Sequence, residues 1–149
     1  KQKVKRTYLM TEKQFRKFFD EARKSTGNTG TRFLQLLEMR LDNVVYRMGL
    51  AKTRNQARQF VTHGHVRING RKMDIPSYVV NVKDEVSMKP KMAKTAAYKH
   101  VLEEVKLEKR QVPDWLTKAA TSGQVLSEPL RENIDKGIKE QFIIELYSK

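Results

Sequence analysis

The chain has 149 residues, with 31 Lys/Arg against 17 Asp/Glu and a formal net charge of +14. Its lack of Cys excludes disulfides, thiolate metal sites and Cys nucleophiles, and no apolar run approaches the ~18 residues of a membrane-spanning helix. The excess charge is confined to residues 1–99, which hold 23 Lys/Arg against 8 Asp/Glu, whereas residues 100–149 hold 8 against 9. Self-repulsion on that scale opposes compaction unless a polyanion neutralises it. Nucleic acid is the first partner this predicts, and an anionic membrane the second.

Lys1 to Arg6 is basic and lacks periodicity; it reads as an arm that orders on phosphate or as a frayed terminus. No signal peptide appears, and a start at Lys1 rather than Met reads as a fragment or as only the ordered part of a longer chain. Thr11 followed by Gln14 is a capping box, with Met10 and Phe15 placed as a hydrophobic staple. Phe15, Phe18, Phe19 and Ala22 then form one helical stripe and read as core rather than as stacking platforms for bases. Ser25 to Gly30 reads as a loop. A second helical pattern runs through Phe33, Leu34, Leu37, Leu41, Val44, Val45 and Met48 to Gly49, with a kink expected at Leu41-Asp42.

The next stretch, Thr53 to Gly70, is the most readable. Thr53 and Gln56 form a second capping box, and the helix they open buries Ala57, Phe60 and Val61. Gly64 suits the left-handed residue that closes it. Val66-Arg67-Ile68 alternates, and Asn69-Gly70 is the signal of a type I′ hairpin. Arg54 and Arg58 share one helical face, and Gln59 and His63 form a second i, i+4 pair beside them. Arg67, Arg71 and Lys72 follow, and no acid lies between Thr53 and Met73. Taken alone, this reads as a surface for phosphate or as an ordinary solvated face. The charge of the whole chain favours phosphate.

Tyr78, Val80 and Val82 alternate and predict a strand; Lys83-Asp84-Glu85 predicts a turn and Val86 with Met88 another strand. These give a small antiparallel sheet of three to five strands. Tyr98, Val101, Leu102 and Val105 predict a helix over about Met92 to Lys109, with Lys91, Lys94 and Lys99 near its start, where they suit an external anion better than the helix dipole. Trp115 reads as a packing residue and Thr117 to Glu128 as loop. Ile138, Phe142 and Leu146 predict a last helix over about Gly137 to Ser148, folding back on the N-terminal helices. The fold class expected is therefore α+β and mainly helical. A helical domain, 1–41 plus 129–149, would carry an inserted module, 42–128, of helices on a small antiparallel sheet.

His63, Gly64 and His65 lack further ligands at metal spacing, so neither a metal nor any other cofactor is expected. No nucleophile elbow, Walker loop or dinucleotide fingerprint occurs, so no enzyme is expected.

Arg40 to Gly49, then Thr53-Arg54, Ala57-Arg58-Gln59, Val61, His63-Gly64-His65-Val66 and Asn69-Gly70 resemble the RNA-binding module named after ribosomal protein four of the small subunit. That module also occurs in pseudouridine synthases, tyrosyl-tRNA synthetases and heat-shock ribosome-recycling factors. An appendage of an RNA-modifying enzyme and a free ribosome-rescue factor are therefore the rival readings. The flanks resemble the bacterial-type ribosomal protein itself: Lys1 to Val4, Glu12 to Arg16, Gly27 to Gly30, Leu36-Leu37-Glu38, Ile75 to Tyr78 and Ile143 to Lys149.

The resemblance implies a structural, primary binder of small-subunit rRNA that nucleates 5′-domain assembly at a multi-helix junction. It implies a place near the mRNA entry channel, beside small-subunit proteins three and five, with a role in translational accuracy, and no membrane. The location implied is the ribosome of a bacterial cytoplasm, with the plastid stroma as alternative.

RNA contacts are expected from Lys1, Lys3, Lys5 and Arg6 as an arm, from Arg40, Arg47, Lys52, Arg54, Arg58, Arg67, Arg71 and Lys72 toward phosphate, and from Gln59, His63 and Asn69 toward 2′-hydroxyls or base edges. Gly70 would let the backbone approach. Two departures stand out. The family's N-terminal segment, which carries a Cys zinc site in some members, is missing. The loop Gln124 to Glu132, often basic in relatives, has Arg131 as its single cation, so no RNA contact is carried onto it.

Overall fold

The structure, a computed structural model, describes residues 5, 8, 10–24 and 28–130. The chain divides into two compact units, Lys1–Glu38 with Pro129–Lys149, and Met39–Glu128. The last helix expected from sequence, and its docking on the N-terminal helices, lie outside the described residues.

In the first unit, α1 (Glu12–Arg23) starts at the capping box expected: Thr11 Oγ1 accepts from Gln14 N, and Gln14 Oε1 accepts from Thr11 N. Its four-residue apolar stripe is buried and packs against α2 (Thr29–Glu38), which contributes Phe33, Leu34 and Leu37. Phe15 and Phe19 meet Phe33 edge-on, with centroids 4.9 and 5.6 Å apart, the arrangement favoured by ring quadrupoles. Tyr8 Oη donates to the buried carboxylate of Glu38 at 2.6 Å.

The second unit is an α+β module. α3 (Leu41–Arg47) packs on α4 (Arg54–Thr62). The sheet has β1 (Val66–Ile68), β2 (Arg71–Lys72), β3 (Glu85–Met88) and β4 (Ser122–Gln124), antiparallel throughout in the order β2-β1-β3-β4. Between β3 and β4 run α5 (Pro90–Ala93) and α6 (Ala96–Leu107). One core joins Met48, Leu50, Phe60, Val61, Val66, Val86, Tyr98, Trp115 and Val125. Tyr98 Oη donates to Leu50 O at 2.8 Å, so the deepest ring of α6 also satisfies the linker between α3 and α4.

Four differences from the sequence reading have local causes. The helical pattern through Phe33–Met48 breaks at Met39–Arg40 instead of bending at Leu41-Asp42. Arg40 is extended and bridges Val79, while Leu41 N donates to Tyr78 O and Val80 N to Met39 O. These bonds also place Met39–Leu41 in the second unit, three residues before the division drawn from sequence. They occupy the backbone of Tyr78–Val80 as well, which is why that alternating segment makes an isolated bridge and no sheet strand. The third difference is β4, inside a segment expected to be loop. The fourth is the helix over 92–109, which is two helices because Thr95 caps a fresh start by accepting from Tyr98 N.

Candidate nucleic-acid interface

The capped helix and hairpin form as their residues dictate. Thr53 Oγ1 accepts from Gln56 N, but Gln56 Oε1 reaches one residue further back than a capping box requires and accepts from Lys52 N at 2.6 Å. Ala57, Phe60 and Val61 are buried. Asn69 and Gly70 take φ of +52° and +81°, the pair of left-handed residues a type I′ turn needs, and set Ile68 opposite Arg71 and Arg67 opposite Lys72. Side chains opposite each other share a face, so Arg71 lies on the face of Ile68 and Lys72 on the other with Arg67.

Not every cation expected at the surface is there. Arg40 is fully buried, its Nη2 3.1 Å from Asp42 Oδ2. Burial pushes this guanidinium down from its ordinary range, with nearby Arg58 adding to the shift while Asp42 opposes it. The Asp42 carboxyl is pushed up by burial and pulled back by Arg40, by the Asn43 N–H and by Arg58. Arg40 is therefore a structural residue and not an RNA contact. Asn69 is exposed, but its amide is engaged within the fold. Its Nδ2 donates to Asp84 Oδ1 and its Oδ1 accepts from Glu85 N, so the amide braces the hairpin against the turn before β3. Lys5 pairs with Glu12 at 2.7 Å and its side chain is 16% exposed, so it does not belong to a free arm. Lys1, Lys3 and Arg6 lie outside the described residues.

Arg54 is partly spent as well. Its Nε donates to Asn43 Oδ1 at 2.9 Å and its guanidinium lies 4.5 Å from the Tyr46 ring centre. Lys52 is exposed but paired with Glu104, which His100 also approaches. The Glu104 hydrogen bond holds Lys52 above its ordinary range, and the same bond holds the Glu104 carboxyl below the usual carboxylate range.

The rest form the open part of the site. Gln59, His63, Gly70, Arg71 and Lys72 are exposed, while Arg47, Arg58 and Arg67 are half-buried. Arg67 and Arg71 make no ion pair among the described residues, and Lys72 approaches Asp74 no closer than 4.0 Å. The Lys72 stem crosses Gly64, the residue that closes α4. His63 and His65 stand 6.2 Å apart, and no group of three metal-ligating side chains exists among the described residues.

Sequence reasoning missed Arg110. It stacks 4.0 Å from the Tyr46 ring centre and donates to Ala51 O and Lys52 O, so Tyr46 is flanked by Arg54 and Arg110. Lys118 donates to Gly49 O nearby, and burial followed by the charge of Arg110 lowers its ammonium from the ordinary range. Neither had a local signal, because both act on carbonyls about 60 or more residues earlier in the chain.

Residues 1–38 match the ribosomal protein S4/S9 N-terminal domain and residues 39–86 the S4 domain, meeting where the two units part. The small ribosomal subunit protein uS4 of Roseiflexus castenholzii is 48% identical over an alignment covering 100% of this chain and 73% of the relative. The uS4 protein of Halothermothrix orenii is 50% identical, covering 100% of this chain and 72% of the relative. For Thermoanaerobacter sp. strain X514 the identity is again 50%, over 100% and 71%. With half its residues shared across its whole length, the chain belongs to the family of small ribosomal subunit protein uS4.

Proposed function

We propose that this chain is a primary binder of small-subunit rRNA, built into the small subunit as a structural component and requiring no cofactor of its own. The family is structural and not enzymatic. The observation that carries the reading is a positive surface that internal acids neutralise only in part. Residues 1–99 carry the charge excess, and Arg67 and Arg71 are left without an ion pair among the described residues. Such groups on capped, rigid elements suit the phosphates of an A-form helix, whose deep major groove excludes side chains. Family membership supports the finer reading: assembly of the 5′ domain around a multi-helix junction, a position near the mRNA entry channel beside small-subunit proteins three and five, and an effect on accuracy, on the ribosomes of a bacterial cytoplasm.

The test is nuclease protection of total ribosomal RNA by the purified chain, with affinity measured against salt. Protection of a small-subunit 5′-domain fragment is expected. If about eight phosphates are neutralised, the log–log salt slope lies near about −6 to −7. Protection of large-subunit RNA alone would favour a rescue factor, and a slope shallower than about −2 would reject a phosphate-dominated interface.

A further inference from the structure

We infer that the RNA interface extends from the hairpin across the outer face of the four-stranded sheet, as far as Ser87 and Ser122, and that this face grips the sugar–phosphate backbone and does not read bases. It rests on the RNA-binding function just proposed. Register defines the face. Arg67 is opposite Lys72 on one side and Ser87 on the other, and Ser87 is opposite Ser122. Lys72, Arg67, Ser87 and Ser122 therefore form one row across all four strands. Val66, Ile68, Val86, Met88 and Gly123 are buried, so the row projects away from the core. With neighbouring strands about 4.8 Å apart, it is about 14 Å long.

The chemistry of the row selects its occupant. Two cations at one end suit phosphate oxygens, and two hydroxyls at the other can donate to or accept from a ribose 2′-hydroxyl. No aromatic side chain stands in the row, so it offers no platform for an unstacked base, the device by which sheet faces read single-stranded sequence. Glu85 lies two residues before Ser87 on the same face, is exposed and repels phosphate. An RNA backbone is thus directed along the row rather than across it. At the opposite end of β3, exposed Lys89 extends the ladder by donating its N–H to His65 O and adds a further cation. Charge complementarity therefore commits the face to a polyanionic backbone.

The experiment uses the full chain and a small-subunit rRNA 5′-domain transcript, with melting curves as a control for folding. Arg67→Gln with Lys72→Gln is expected to weaken binding about tenfold or more and to make the log–log salt slope shallower by roughly 1.5–2. Ser87→Asp with Ser122→Asp, which keeps both cations, is expected to weaken binding similarly. The losses are expected to be the same for a transcript whose helices carry swapped base pairs, because backbone is being gripped. Variants that melt normally and bind with unchanged affinity and slope overturn the proposal. So does a pair that binds rRNA normally yet fails to enter reconstituted subunits, which would give the face to a protein neighbour. If the Asp pair does not fold, the Gln pair alone decides. A parent chain that ignored the transcript would sink the function itself, a separate outcome.

Discussion

Arg40 and Asp42 show how a single residue pair redirects a functional reading. A guanidinium taken out of water loses hydration that one carboxylate only partly replaces, so the pair specifies a local structure more than it stabilises it. Removing one partner is more costly than removing both. Asp42→Ala is expected to lose about 3 kcal/mol or more of stability, while Arg40→Met with Asp42→Leu should be near neutral; chemical denaturation of the two variants checks this. A melt of Asp42→Ala at the parent midpoint would refute it. Arg54 holds both roles. Arg54→Ala should weaken rRNA binding and also lose about 1 kcal/mol of stability through Asn43 and Tyr46. Glu104 gives a pH signature. Its folded carboxyl titrates below its unfolded value, so the contribution of the Lys52 link is present above the ordinary glutamate range and is lost as pH falls through the lower, folded midpoint. An NMR titration of the Glu104 carboxyl carbon should show a midpoint below that of free glutamate, and a midpoint at or above it would refute the link.

Elements whose signals are local were legible, and elements defined by remote partners were not. The Thr11 box, the Thr53 cap, the Gly64 stop and the Asn69-Gly70 turn each depend on atoms within a few residues, and each formed near where the sequence placed it. Tyr78–Val82 alternates as a strand should, but the free edge it found was Met39–Leu41. Ser122-Gly123-Gln124 has no apolar alternation at all; it becomes β4 because β3 presents an open edge and Gly123, opposite Val86, leaves room for Thr117 O and Met48. A Cβ at Gly123 would stand 2.2 Å from Thr117 O and 2.8 Å from Met48 Sδ. Gly123→Ala is therefore expected to cost about 2–3 kcal/mol, detaching β4 and exposing Trp115. Loss of the blue-shifted Trp fluorescence at reduced melting temperature is the readout, and unchanged emission with an unchanged melt would refute the close approach.

For the molecule as a whole, charge sets two opposed dependences on salt. Screening relieves repulsion within residues 1–99, so the free chain should melt higher as salt rises. Its grip on rRNA should weaken over the same range. A melting temperature that falls with salt would mean that internal ion pairs, not repulsion, dominate the free protein. The segregation of charge was visible in the sequence, because it needs only counting. Which polar side chains are spent internally was not, because Arg40, Asn69 and Arg110 are claimed by groups that only the fold brings near.

The origin of β4 has a consequence for synthesis. β3 ends at Met88 and its partner begins at Ser122, with two helices made in between. At about 5–20 residues per second, the nascent module waits roughly 2–7 s with one flank of β3 uncovered. During that interval its unpaired N–H and C=O groups are a template for any passing strand, so a translational pause after β3 has left the ribosome and before β4 has followed it would promote cross-chain association.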